Sequence, residues 1–207
     1  MHQSAKFWDK IAKRYSRKPI SDEAAYQNKL QVTREYLRPG MEVLEFGCGT
    51  GSTAIAHAPY VKHIRATDIS SKMIEIAKDK ADAAGVNNVT FEVETVEAMH
   101  MPDDSVDVVL ALSILHLLED KEQAIAKVYR MLRPGGIFIS STMCLGDSMK
   151  FFKFIGPIGR VLGLMPLVRV FTAKQLNESL TNGGFEIEHH SQTGKDKAVF
   201  IVAKKTK

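Results

Sequence analysis

The sequence predicts a single α/β domain, a doubly wound, mostly parallel seven-stranded sheet that ends in an antiparallel hairpin. Three observations carry that expectation. Strand-length apolar runs alternate with helical periodicities along the chain. The fourth run, VDVVLAL at 106–112, is apolar on both faces, as a strand covered on both sides must be. The last two runs are joined by a short polar turn, and strands that close in sequence pair antiparallel. With 207 residues, 44% of them hydrophobic, the chain fills one core without disulfide or metal staples.

Residues 5–37 read as two N-terminal helices. Phe7, Trp8, Ile11, Ala12 and Tyr15 recur at helical spacing in the first, Pro19 interrupts, and Ser21 is the expected N-cap of the second, which Pro39-Gly40 ends. A strand at 43–46 feeds a Gly-rich turn and a small helix to about Tyr60. The second strand, 63–68, precedes a helix capped by Ser70 or Ser71, carrying Met73, Ile76, Ala77, Ala81 and Ala84 and stopped at Gly85. Strands follow at 89–93 and 106–112, then a helix at 119–132 ended by Arg133-Pro134-Gly135-Gly136, then a strand at 137–142. Thr172 with Gln175 forms a capping-box pattern before a helix ending at Gly183-Gly184. The hairpin takes 185–191 and 198–203, turning near Gly194.

The expected organisation is one domain, 1–207: an N-terminal helical cap (1–38), a core (39–145), a helical lid insertion (146–171) and a C-terminal helix with hairpin (172–207). The lid segment mixes Met149, Phe151, Phe152, Phe154, Ile155, Val161, Leu162, Leu164, Met165, Leu167 and Val168 with Lys150, Lys153, Arg160 and Arg169. Such a composition suits a cover over an apolar ligand, peripheral contact with a membrane surface, or a helix that completes the core. Prolines and arginines break it too often for a spanning helix. The charged N-terminus has no secretory apolar stretch, and two cysteines, Cys48 and Cys144, make no disulfide framework. A cytoplasmic protein with reduced thiols is expected. A net charge of +4 with scattered lysines is no nucleic-acid footprint, and no Cys/His cluster suggests a metal.

The chemistry concentrates in VLEFGCGTG, 43–51. A strand runs straight into Gly47-Cys48-Gly49-Thr50-Gly51, and glycines let the backbone turn tightly and approach a ligand closely. Ser52 stands where a dinucleotide fingerprint has its third glycine, which disfavours a pyrophosphate. Asp68 ends the next strand, where a carboxylate accepts the ribose hydroxyls of a nucleoside. Glu45, beside the loop, repels phosphates and suits a cationic ligand.

Together with MPDDSVDVVLALSILHLLED (101–120), MLRPGG (131–136) and FWDKIAKRY (7–15), this order of motifs resembles the class I S-adenosylmethionine (SAM) dependent methyltransferases. The likeness is greatest to the small-molecule branch that includes the ubiquinone/menaquinone-biosynthesis enzymes, and it spans about residues 5–145. It implies a Rossmann-like fold with SAM as cofactor and S-adenosylhomocysteine as product. It further implies that Glu45, Gly47, Cys48, Gly49 and Gly51 hold the methionine part and that Asp68 takes the ribose. Ile69 and Met73 would pack near the adenine, with Thr95, Val96 and Glu97 lining its other face. Leu112 would lie under the sulfonium and Tyr15 would close over the methionine carboxylate. Many members carry Asp where this chain has Thr95.

A sulfonium already carries an activated methyl group, so such an enzyme mainly aligns the acceptor and excludes water. His116 is the candidate base for an oxygen or carbon acceptor, or simply a histidine at a helix start. The expected acceptor is a small apolar or lipid-like molecule, with no nucleic acid as partner. An RNA or protein methyltransferase is the alternative within the class, although Leu112-Ser113-Ile114-Leu115 stands where a motif of the Asn-Pro-Pro-Tyr type would. A non-catalytic SAM-binding regulator is the alternative outside it.

Overall fold

The computed structural model describes residues 3–149, 151, 159 and 165–206. The chain forms two compact units, Met1–Ala98 and Met99–Lys207. Among the described residues seven strands form one mixed sheet in the order β3-β2-β1-β4-β5-β7-β6, which is the architecture expected from the sequence.

The first unit opens with helices α1 (Gln3–Arg17) and α2 (Glu23–Glu35). Helix α1 buries Ala5 and Ala12 and packs on a later helix of this unit, α4 (Ser71–Ala83). Its aromatic residues meet edge to face, Phe7 on Trp8 and Trp8 on Tyr15. The N-cap of α2 is Asp22 rather than the expected Ser21: its Oδ1 accepts the Ala25 amide at 3.0 Å. Aspartate caps as well as serine and adds a negative charge at the positive end of the helix. The helix also ends earlier than expected, with Tyr36 as its C-cap.

Strand β1 (Glu42–Phe46) runs parallel to β2 (His63–Asp68), pairing Glu42 with His63 through Phe46 with Thr67. Strand β2 in turn runs parallel to β3 (Val89–Val93). Between β1 and β2 lie the Gly-rich loop and a short helix, α3 (Ser52–His57). Helix α4 buries Met73, Ile74, Ala77 and Ala81, so its apolar stripe has the 3.6-residue period read from the sequence.

In the second unit, β4 (Val106–Leu112) and β5 (Leu132–Thr142) are parallel, with helix α5 (Lys121–Met131) between them in sequence. The sequence reading ends the helix at 132 and begins the strand at 137, whereas Leu132 already pairs with Val106. The register then jumps to Val108 with Ile137, so Arg133-Pro134-Gly135-Gly136 is a bulge inside the strand, with Gly135 at φ 77°, rather than a stop before it. Beyond β5 come α6 (Leu145–Ser148) and α7 (Ala173–Asn182). The expected capping box is present at α7: Gln175 N donates to Thr172 Oγ1 at 3.1 Å and Thr172 N to Gln175 Oε1 at 2.9 Å. Strands β6 (Phe185–Ser191) and β7 (Val199–Lys205) form the expected hairpin, and β7 pairs antiparallel to β5.

Most of the lid expectation (150, 152–158 and 160–164) lies outside the described residues. At its described ends, Leu167 and Phe171 are buried and Phe151 is exposed. No helix among the described residues is long and apolar enough to cross a membrane.

Candidate cofactor site

Strand β1 ends in a loop whose glycines 47, 49 and 51 all have positive φ, at 68°, 54° and 73°. Cys48 N donates to Thr67 O at 2.9 Å and Gly51 N to Cys48 O at 3.0 Å, so the loop is tied to the end of β2 and closed on itself. Gly51 is required by packing as well as by its φ. A Cβ there would lie 2.8 Å from both Ala77 Cβ and Phe91 Cε1, well inside contact distance. The Cys48 thiol is buried and pushed up, by burial first and then by Glu45 and Asp68, so it stays a protonated, inert lining group.

Two carboxylates flank this loop. Glu45 is 2% exposed and its Oε2 has no hydrogen-bond partner among the described residues. Burial, then the charge of Asp68, raises its carboxyl to about 8. Asp68 is 9% exposed; its Oδ2 accepts Gly49 N and its Oδ1 accepts Ser70 N, both at 2.9 Å. Burial raises its carboxyl too, against the lowering effect of those amides, and Asp9 adds to the rise. Among the described residues no Lys, Arg or His forms an ion pair with either acid. Buried carboxylates are ordinarily paired, so this arrangement calls for a positive charge and for hydroxyl donors from outside the protein. An ammonium group and a ribose provide both, and the residues present therefore fit SAM.

The other expected residues fall into distinct settings. Tyr15, at the end of α1, is about half exposed, and its ring edge would lie 3.9 Å from a Cβ on Gly49. Its phenol is raised by partial burial and by Asp68. Ile69 is half-buried directly after Asp68. Met73 is 2% exposed and belongs to the core of the unit, its amide donating to the Ser70 hydroxyl. Past β3, Thr95 Oγ1 accepts the Ala98 amide at 3.2 Å, so this hydroxyl caps a turn. Val96 is buried and Glu97 exposed.

Two residues that sequence reasoning missed also belong here. Tyr26 of α2 bonds to the Thr53 side chain, and its phenol is raised by burial and by Glu45. Asp9 of α1 accepts the Ser70 hydroxyl at 2.6 Å. Both reach the site from helices distant in sequence; the only signal for Asp9 was its place in the FWDKIAKRY motif.

Leu112 and His116 belong to the second unit. Leu112 is half-buried at the end of β4, and the next residue, Ser113, has φ 63° with its amide donating to Ser141 O at 2.6 Å. His116 sits in a 3₁₀ turn, Leu115–Leu117, and not at the helix start, where Asp120 caps α5 by accepting Gln123 N at 3.0 Å. The buried Nδ1 of His116 has no partner among the described residues, and burial lowers its pKa to about 4. The imidazole is therefore neutral near pH 7. A surface cavity of about 550 Å³ in this unit, lined by Met99, Met101, Lys127 and Arg130 among others, contains none of the expected site residues. No group of three metal-ligating side chains occurs among the described residues.

The sheet order is that of the Rossmann-like methyltransferase fold, and two buried carboxylates flank the loop after its first strand. Residues 44–140, just under half of the chain, match the family described as "Methyltransferase domain". Among its relatives is the uncharacterized methyltransferase YcgJ of Bacillus subtilis (strain 168), 34% identical over 132 residues, 64% of this chain and 52% of that one. Another is the 27-O-demethylrifamycin SV methyltransferase of Amycolatopsis mediterranei, 40% identical over 114 residues, 54% of this chain and 40% of that one. The ubiquinone/menaquinone biosynthesis C-methyltransferase UbiE of Vibrio vulnificus is 33% identical over 103 residues, 48% of this chain and 40% of that one. The chain spans about half the length of the curated relatives it matches. The crystal structure of Bacillus subtilis YcgJ superposes with a TM-score of 0.73 at 20% identity, covering 87% of this chain and 99% of that one.

Proposed function

We propose that the chain transfers the methyl group of SAM to a small, apolar or lipid-like acceptor. The observation that carries the cofactor half is Glu45, a buried acid with an unpartnered oxygen beside a glycine loop. When bound, SAM supplies a methyl group already activated on a sulfonium, so the protein needs no nucleophile of its own. Glu45 receives the ammonium of the methionine part and Asp68 accepts from the ribose hydroxyls. Gly47 and Gly49 keep side chains out of the approach, and Tyr15 shields the loop from water. Ile69, Thr95, Val96 and Glu97 would line the adenine side. His116, neutral with a pKa of about 4, is too weak a base to take a proton efficiently near pH 7. Its fitting role is as a neutral hydrogen-bond partner of the acceptor.

The acceptor half rests on two supports. Relatives are named for ubiquinone/menaquinone biosynthesis and for 27-O-demethylrifamycin SV, and others for malonyl-acyl-carrier protein and phosphoethanolamine. The segment 146–171 is also rich in large apolar side chains interspersed with lysine and arginine, a composition suited to covering an apolar ligand or touching a lipid surface.

The test is methyl transfer from radiolabelled SAM to cell extract, followed by organic-phase partition. Label in the organic phase is expected, and mass analysis of that fraction identifies the acceptor. Label confined to the aqueous or macromolecular phase overturns the apolar acceptor in favour of a polar metabolite, RNA or protein. Binding of SAM with no transfer to any fraction marks a regulator. Replacing Asp68 with Ala is expected to weaken SAM binding by more than ~1 kcal/mol with the fold retained, because ribose hydroxyls lose their acceptor; titration calorimetry measures it, and unchanged affinity removes Asp68 from the site.

A further inference from the structure

Asp9 has no part in the cofactor contacts assigned above, yet its carboxylate is tied to them. It projects from α1 onto the first turn of α4. One oxygen, Oδ1, accepts both the Ser70 hydroxyl at 2.6 Å and the Lys72 amide at 3.1 Å. Ser70 is fully buried and fully engaged: its Oγ also accepts Met73 N at 3.1 Å, and its own amide donates to Asp68 Oδ1 at 2.9 Å. The other Asp68 oxygen holds the loop through Gly49 N. A continuous chain of short contacts thus runs from α1 through Asp9 and Ser70 to Asp68 and the glycine loop. The same helix carries Tyr15, whose ring approaches Gly49.

Capping alone does not account for this arrangement. Ser70 already caps α4 through Met73 N, and the last hydroxyl-to-carboxylate bond is of the short, charge-assisted kind. It also costs something: a further carboxylate is brought toward Asp68, and its charge disfavours ionisation of Asp68.

We propose that Asp9 is a positioning residue for cofactor binding, holding Ser70 so that the Asp68 carboxylate is aimed for a ribose and α1 is seated with Tyr15 over the loop. The inference rests on the reading of Asp68 as the ribose acceptor.

The test titrates S-adenosylhomocysteine into the full chain and its variants by calorimetry, with thermal melts of the free proteins. Asp9→Ala is expected to raise Kd about five- to tenfold, the loss of one charge-assisted hydrogen bond. Asp9→Asn is expected to restore affinity to within about twofold, because both bonds go to a single oxygen that the amide retains. It also removes the charge that raises Asp68, so the loss of binding on acidification should move to lower pH. The groups facing Asp68 in that titration are Asp9 of α1, Glu45 of β1, and the Tyr15 and Cys48 side chains. Ser70→Ala combined with Asp9→Ala should cost no more than the larger single change, as for residues acting in one chain of contacts.

Wild-type affinity in Asp9→Ala while Asp68→Ala binds weakly overturns the positioning role and leaves the ribose reading standing. Wild-type affinity in Asp68→Ala overturns both. Should Asp9→Ala not fold, Ser70→Ala decides: wild-type affinity there rejects the proposal, and weakened affinity supports it.

Discussion

The loop after β1 and the β6–β7 hairpin obey opposite rules. In the hairpin, β7 is buried from Val199 to Ala203 while β6 alternates buried or half-buried with exposed positions. Its charges go outward and find partners. Lys205 bonds Asp104 at 2.7 Å and Leu132 O at 2.6 Å, and Glu188 lies 3.4 Å from Lys204. In the loop region, two acids point inward with no cation for either among the described residues, and alternate residues hold left-handed backbone. Every local choice in the hairpin favours the fold. The loop breaks several such choices at once, which is the signature of a region shaped for a ligand.

The largest effect expected from this contrast is steric. Gly51→Ala combines φ 73° with a Cβ 2.8 Å from Ala77 and Phe91, and should cost about 3–5 kcal/mol or prevent folding. Gly85 has a similar φ of 67° with nothing within 4 Å, so Gly85→Ala should cost only about 1 kcal/mol of backbone strain. Urea unfolding of the two variants separates packing from conformation; equal losses would show that backbone strain accounts for both.

The next effect is electrostatic. The Glu45 carboxyl sits near 8 in the folded chain against 4.5 in the ordinary range. The folded state therefore holds a proton that the unfolded state releases between those values. Stability must fall as pH rises through that window, by up to about 5 kcal/mol if the whole shift is realised. Glu45→Gln should remove this slope, matching the wild type at pH 5 and exceeding it at pH 8, while weakening SAM binding at both. Parallel pH slopes in the two proteins would show that Glu45 ionises without cost and that its isolation is only apparent.

Much of this contrast was legible in the sequence. A charged residue inside an apolar strand, followed by glycines at every second position, marks β1 as a strand that ends in a site. Asp68 at the end of the next strand completes it. The hairpin and the Thr172–Gln175 box were equally readable, because alternation and capping are local. What the sequence hid was of two kinds. Asp9 meets Ser70 and Tyr26 meets Thr53 from helices far away in sequence, and no local pattern encodes such a meeting. Arg133-Pro134-Gly135-Gly136 was read as a helix stop, on sound local chemistry. Pairing of Leu132 with Val106 nevertheless starts the strand ahead of it, and Gly135 takes φ 77° within the resulting irregularity, a tertiary interaction overriding local propensity.

The smallest effects belong to the region that follows the rules, and they set the scale against which the loop is judged. Thr172→Ala removes one half of the capping box and should cost about 1 kcal/mol. Lys174→Ala removes an exposed pair, with 3.7 Å between Lys174 Nζ and Glu178, and should cost less than about 0.5 kcal/mol. Lysine is also a good helix former, but alanine is better, so propensity offsets part of even that small loss. Urea midpoints for the two variants should therefore differ, with Thr172→Ala the less stable. The opposite order would place the anchoring of α7 in its surface charges rather than in its cap, and would remove the distinction between a region held by local backbone chemistry and one shaped around absent charge.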